Sequence, residues 1–176
     1  VRYVRYLARF KLTPYGRILV LLTLFAALGS ITVEIPIYQI FCALFFLPAV
    51  SELVGTLLRP KLDVNCQLSG RATLGVPLQG VARVRNRGRL TAFDLMVGFF
   101  SIDHSIQHSD RDRVLASLQS GHEAEIPFEL VPSRRGVFPI KSVNVHSTFP
   151  FNLMRFGGGD CPLYSLTVIP AYESLD

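Results

Sequence analysis

Hydrophobic and polar positions divide this chain into three stretches of different period. Residues 1–17 interleave arginines with aromatic and aliphatic residues. Residues 18–58 form an almost unbroken apolar run, and residues 59–176 return to ordinary globular polarity with alternation of period 2. The apolar run predicts helices. Its first segment, 18–33 (ILVLLTLFAALGSITV), would cover about 24 Å as a helix, slightly less than a ~30 Å hydrocarbon core. Tyr15 and Ile35 extend it at the two interfaces. The second segment, Pro36–Leu58, is longer. Only Glu34-Ile35-Pro36 separates the two, which predicts a tight transmembrane helical hairpin, with Pro36 in a first helical turn where its missing N–H costs nothing. A cleavable signal peptide is the competing reading. It is opposed by the length of the apolar run, by the lack of an A-x-A-like site and by the second segment that follows.

From Leu62 the period changes. Leu62–Leu68 alternates as a half-buried strand does, and further strands are predicted at Val76–Arg85, Phe93–Phe100, Val114–Leu118, Glu123–Leu130, Gly136–Ser147 (the longest) and Tyr164–Ile169. Asn86-Arg87-Gly88-Arg89 and Gln119-Ser120-Gly121-His122 read as turns, and Gly157-Gly158-Gly159 as a flexible hairpin connection. Six or seven short strands without an intervening amphipathic helix predict an antiparallel immunoglobulin-like β-sandwich. The expected organisation is therefore a basic interfacial segment (1–17), a transmembrane hairpin (18–58) and a β-domain (59–176).

Charge orients this arrangement. The net charge of +5 is concentrated: Arg2, Arg5, Arg9, Lys11 and Arg17 precede the first apolar run without an acidic residue among them. Clustered cations can bind nucleic acid, but a cluster abutting an apolar span is accounted for by anionic lipid headgroups and the positive-inside bias. With Arg59 and Lys61 after the second span and Glu34 alone in the turn, both termini and the β-domain are expected on the cytoplasmic side of the membrane. On a helix, Arg2, Arg5 and Arg9 share one face and Tyr3, Tyr6, Leu7 and Phe10 the other, as in an interfacial helix. A frayed basic terminus is the plainer reading. Glu52 is the one ionisable residue well inside a span. It either faces a partner or reaches the interface near Arg59.

Candidate chemistry is sparse. No Ser/His/Asp arrangement or catalytically spaced carboxylate pair is present, so neither enzyme activity nor a cofactor is expected. His104 and His108, with Asp103 and Asp110, keep open an alternative in which the 104–110 loop binds a metal or carries an active site. The cysteines, Cys42, Cys66 and Cys161, contain no CxxC pair. Cys66 and Cys161 can approach across a sheet, although a reducing compartment disfavours a disulfide. Arg134 and Arg135 beside Gly136, and the aromatic run Phe149, Phe151 and Phe156, are the candidate contacts with lipid or a protein partner.

The two-span hairpin, Arg59-Pro60, Asn86-Arg87-Gly88, Arg134-Arg135-Gly136-Val137-Phe138 and Phe149-Pro150-Phe151-Asn152-Leu153, in that order, resemble the N-terminal half of the bacterial DUF58 membrane proteins. Tyr164–Pro170 is similar to that family's strand ending in a V-x-P step. Asn152 stands where the family corner usually has Gly, a substitution Asn tolerates because it enters φ > 0 more readily than most residues. The resemblance covers the region ahead of the family's von Willebrand A-like domain, so that domain's metal-dependent adhesion is not carried over. It implies assembly or maturation of larger complexes, with a MoxR-type AAA+ ATPase as one partner. The leading expectation is a non-enzymatic integral membrane accessory or scaffold subunit that docks on other subunits of a membrane complex.

Overall fold

The computed structural model describes residues 11–29, 35–99, 102–108, 113–162 and 165–170. Two apolar helices come first, α1 (Pro14–Gly29) and α2 (Ile35–Leu57), with Pro36 in the first turn of α2 and Pro48 inside it. Thr23 Oγ1 of α1 lies 3.4 Å from the Leu44 carbonyl oxygen of α2, so the two pack side by side as a hairpin. Helix α1 begins four residues earlier than the hydrophobic run predicts, because Thr13-Pro14 is an N-cap followed by a proline at the first helical position. By length and composition, Tyr38–Leu57 is long and apolar enough to cross a membrane, whereas Pro14–Leu28 is shorter. Residues 30–33 of the first expected span lie outside the described residues.

Among the described residues eleven strands follow: β1 (Leu62–Leu68), β2 (Arg71–Thr73), β3 (Leu78–Asn86), β4 (Ala92–Gly98), β5 (Ile106–His108), β6 (Val114–Leu118), β7 (Glu123–Pro132), β8 (Gly136–Pro139), β9 (Ser142–Ser147), β10 (Phe156–Pro162) and β11 (Ser165–Ile169). They form two four-stranded sheets, β1-β3-β7-β5 and β10-β9-β4-β6, and a three-stranded sheet β2-β11-β8. The pairing is mostly antiparallel, β11 with β2 being parallel. One apolar core joins the inward positions of both larger sheets: Ala82, Val84, Ile126, Phe128 and Leu130 from the first, Leu95, Val97, Val143 and Val145 from the second. Phe128 is completed by an edge-on contact with Phe99, ring centroids 5.4 Å apart. This is a layered β-domain of the sandwich kind.

The outward face of the first sheet is solvated. Arg83–Glu125 (2.7 Å), Arg85–Glu123 (3.6 Å) and Arg87–Asp63 (2.8 Å) form ion pairs from side chains more than half exposed. Pairs of this kind add little stability; they mark the polar phase of β3.

Three sequence expectations change. The predicted strand Gly136–Ser147 is two strands in different sheets. Pro139 ends β8 because it has no N–H to continue a ladder, and Ile140, only 2% exposed, turns into the core before β9 begins. Gly157-Gly158-Gly159 is not a hairpin connection; it lies within β10. A Cβ at Gly159 would come within 2.5 Å of Val64 Cγ2, and one at Gly157 (φ +65°) within 2.5 Å of the Pro60 carbonyl oxygen, so the glycines let β10 run close beside β1 and the residues before it. The short strands β2 and β5 fall where loops were expected.

Asn86 shows why the Asn-Arg-Gly turn needs its asparagine. Its side chain is fully buried; Nδ2 donates to the carbonyls of Leu90 (2.8 Å) and Leu118 (3.0 Å), and Oδ1 accepts from the Gly88 N–H (2.8 Å). One side chain thereby closes the β3–β4 turn and ties it to the end of β6. Asn86→Ala leaves these buried groups without partners and is expected to destabilise the protein by roughly 2–4 kcal/mol. The readout is the thermal unfolding midpoint of the full chain in detergent. Asn86→Asp, which loses both donations and buries a charge, is expected to cost at least as much.

Candidate functional site: the corner at the helix ends

By contacts, the chain forms two units: residues 1–59 with Ser147–Phe156, and residues 60–146 with 157–176. The aromatic-proline corner thus groups with the helices, although sequence alone assigns it to the β-domain. Its geometry explains this. Thr13, 3% exposed, is the N-cap of α1: its Oγ1 accepts from the Gly16 N–H (3.1 Å) and donates to the Asn152 carbonyl, while its own N–H donates to the Leu153 carbonyl (3.0 Å). The Arg155 N–H donates to the Lys11 carbonyl (2.8 Å), and Leu12 and Met154 form an antiparallel bridge. The start of α1 and the corner are therefore zipped together through their backbones.

Small residues allow this approach. A Cβ on Gly16 would sit 2.1 Å from the Leu153 carbonyl oxygen. On α2, Ser51 and Gly55 share one face four residues apart and are both buried; a Cβ on Gly55 would lie 2.2 Å from the Phe156 ring. The Ser51 hydroxyl, 0% exposed, has no hydrogen-bond partner among the described residues. Within the corner the Phe149–Pro150 peptide is cis, and Asn152 holds φ +51° while its N–H donates to the Thr148 carbonyl (2.9 Å). Asn152 thus adopts the left-handed backbone expected of the residue that replaces glycine there.

The corner also organises charge. Lys11 Nζ forms an ion pair with Glu52 and lies 5.8 Å from the centroid of the Phe156 ring. Of the two sequence readings of Glu52, neither named Lys11, because the partner is 41 positions away and brought in by the corner. Burial, and then the nearby Arg17, holds the Arg155 guanidinium below its ordinary pKa. Lys11, Arg17 and Arg155 therefore gather at the helix ends with the carboxylate of Glu52.

The sequence-predicted contact residues do not form one patch. Arg2, Arg5 and Arg9 lie outside the described residues. Arg134 and Arg135 are both exposed at the β7–β8 turn, where Gly136 takes φ +145°. Phe149 is half-buried, Phe151 is 47% exposed, and Phe156, at 4%, is committed to its contact with Gly55. In the 103–108 loop, Ser105 donates through both its backbone N–H (2.9 Å) and its hydroxyl (2.6 Å) to Asp103 Oδ1. Those bonds, then His104 and Arg134, hold the Asp103 carboxyl below its usual range. His108 packs its ring edge-on against Phe99 at 5.0 Å. Asp110 lies outside the described residues; among the described ones, no three His, Cys, Asp or Glu side chains gather as metal ligands do. Thr13, Gly16 and Ser51 were missed from sequence. The Thr-Pro step was the available signal for Thr13; nothing local marks the other two.

Cys66 and Cys161 do come together in the β-domain: the Cys66 N–H points at Cys161 Sγ, 3.2 Å away. Burial, with the neighbouring Cys161 thiol, pushes the half-buried Cys66 thiol up to about 12.

Two expectations follow from the corner and one from the thiols. Gly16→Ala pushes against backbone and is expected to cost about 1–3 kcal/mol of stability. Ser51→Ala removes a buried hydroxyl that has no partner among the described residues and is expected to be neutral or to stabilise by about 1 kcal/mol. Opposite signs in thermal melts of the two variants check the packing. The raised Cys66 pKa predicts iodoacetamide labelling at pH 8 roughly a hundredfold or more slower in the folded than in the unfolded chain. Since the folded pKa exceeds the unfolded one of about 8.5, this stabilising contribution is full below that pH and is lost as pH rises toward 12.

Against known proteins, no family model and no curated protein matches the chain. Among solved structures, a CARDB domain from Pyrococcus furiosus is similar over 63% of this chain and 96% of its own length, at 13% identity and a TM-score of 0.40. A second structure of that domain, in complex with two metal ions, matches at 13% identity over 63% of this chain and 90% of its own, TM-score 0.39. A beta-glucosidase from Listeria innocua is similar at 15% identity over 64% of this chain and 16% of its own, TM-score 0.36. At these scores the likenesses assign neither a fold family nor a function.

Proposed function

We propose that this chain is a membrane-anchored binding protein, a non-enzymatic accessory or scaffold subunit whose immunoglobulin-like β-domain docks on another subunit of a membrane complex. The observation that carries the anchoring is the surface of the helices. Tyr38–Leu57 is apolar enough to cross a bilayer and almost none of it is buried, and α1 exposes Ile18, Leu21, Leu22, Leu24, Phe25 and Leu28 at 50% or more. Two adjacent helices with so many exposed apolar side chains present far more contiguous apolar surface than a water-exposed face of a folded protein carries, and lipid is the solvent that suits it. Lys11, Arg17, Arg59 and Lys61 flank the helix ends, so the positive-inside bias supports an inner-membrane protein with its β-domain in the cytoplasm.

The docking half of the proposal rests on the exposed Arg134-Arg135 turn, whose guanidinium forks suit carboxylates of a partner. Coupling to a MoxR-type AAA+ ATPase is supported by the DUF58 resemblance alone.

In cells producing the chain, the protein is expected to stay in the pellet after alkaline carbonate extraction. Val137→Cys, at an exposed position of β8, is expected to react with a membrane-impermeant maleimide in inverted inner-membrane vesicles and not in intact spheroplasts. Release by carbonate removes the anchor; labelling in spheroplasts reverses the orientation. A photo-crosslinking residue at Arg134 or Arg135 is expected to yield a discrete protein adduct in native membranes, and its absence at both positions counts against docking through this turn.

A further inference from the structure

We infer that the corner Ser147–Phe156, together with Tyr15 and Arg17 of α1, is a wedge that seats in the interfacial layer of an anionic membrane leaflet. The inference rests on the anchoring reading above and specifies which part of the chain outside the helices meets the lipid. Three independent observations lead to it.

The first is position. The corner is fastened to α1 by backbone hydrogen bonds through Thr13, and to α2 by the Phe156 ring on Gly55. Its level along the hairpin is thus set by the first turn of α1 and the last turns of α2, where an apolar span meets its polar flank. The second is composition of the exposed surface. Having buried Leu153 and Phe156, the corner still exposes Phe151 at 47%, beside an α1 first turn that exposes Tyr15 at 64%. The apolar surface continues along the helix with Ile18 at 56% and Leu21 at 56%. Exposed aromatics at the end of an apolar helix are the arrangement of an aromatic belt, with ring bodies in the acyl boundary and polar edges among headgroups.

The third is charge. Lys11 engages the carboxylate of Glu52, and Arg17, exposed in the first turn of α1 two residues from Tyr15, adds a guanidinium at the same helix end. An exposed cation beside exposed aromatics is complementary to acidic phospholipid headgroups and not to an apolar protein face.

The chain contains no tryptophan, so single-tryptophan variants report position without background. Full-length Phe46→Trp (mid-α2), Phe151→Trp and Val137→Trp (β8) are reconstituted in mixed phosphatidylcholine–phosphatidylglycerol vesicles, with bromine placed either just below the headgroups or near the acyl ends. Phe46→Trp is expected to be quenched by deep bromines. Phe151→Trp is expected to lose about half its emission to shallow bromines, as interfacial burial of ~5–10 Å requires, and Val137→Trp to be quenched by neither. Tyr15→Trp supplies a second reporter should Phe151→Trp fail to fold, with the same expectation. If Phe46→Trp is quenched while the corner and Tyr15 reporters are not, the wedge is overturned and the anchor stands. If Phe46→Trp is also unquenched, the anchoring reading falls and the wedge with it. Omitting phosphatidylglycerol is expected to weaken the shallow quenching of Phe151→Trp; equal quenching in both compositions overturns the anionic assignment.

Discussion

The fastening of one β-derived corner onto two helix ends is the constraint that organises the helical unit. Thr13 is the centre of it, since a single hydroxyl caps α1 and holds the Asn152 carbonyl while the same residue's N–H holds Leu153. None of these bonds forms unless the backbones come nearly into contact, and they do so because Gly16 and Gly55 leave room that any side chain would fill. The large residue Phe156 then has a place to be buried. Substitution of either glycine therefore acts on packing and hydrogen bonding together.

The same corner governs the electrostatics of the helix ends. Glu52 within an apolar helix is costly unless a cation meets it, and Lys11 does so from the strand-like segment that the corner pins down. That segment also sets Arg155 near Arg17. Charge placement here is a consequence of backbone zipping, and the surface left over, aromatic and cationic, follows from which residues the zipping hides.

The β-domain is held by a different logic. Its larger sheets share one apolar core, and its turns are fixed by buried polar bonds, with Asn86 making three. The outer ion pairs of β3 are solvated and serve to keep that face polar. The close run of β10 beside β1, permitted by Gly157 and Gly159, brings Cys66 and Cys161 together between edge strands of two different sheets.

The hydrophobic pattern by itself determined the helices, the change to period 2 at Leu62, and the strands at Leu62–Leu68 and Val114–Leu118, because these depend on local periodicity and turn residues. Turn residues also located the Asn86 turn, and the resemblance to the DUF58 corner pointed to the left-handed Asn152. Tertiary structure alone decided the division of Gly136–Ser147 between two sheets, the strand made by Gly157–Gly159, the pairing of Glu52 with Lys11, and the grouping of Ser147–Phe156 with the helices. Each of those depends on which distant backbone comes within reach, and glycines and buried hydroxyls carry no periodic signal of the neighbour they admit. A corner of aromatics and proline reads as β-structure in one dimension; only the contacts of Thr13, Gly16 and Gly55 show that it belongs to the helix ends.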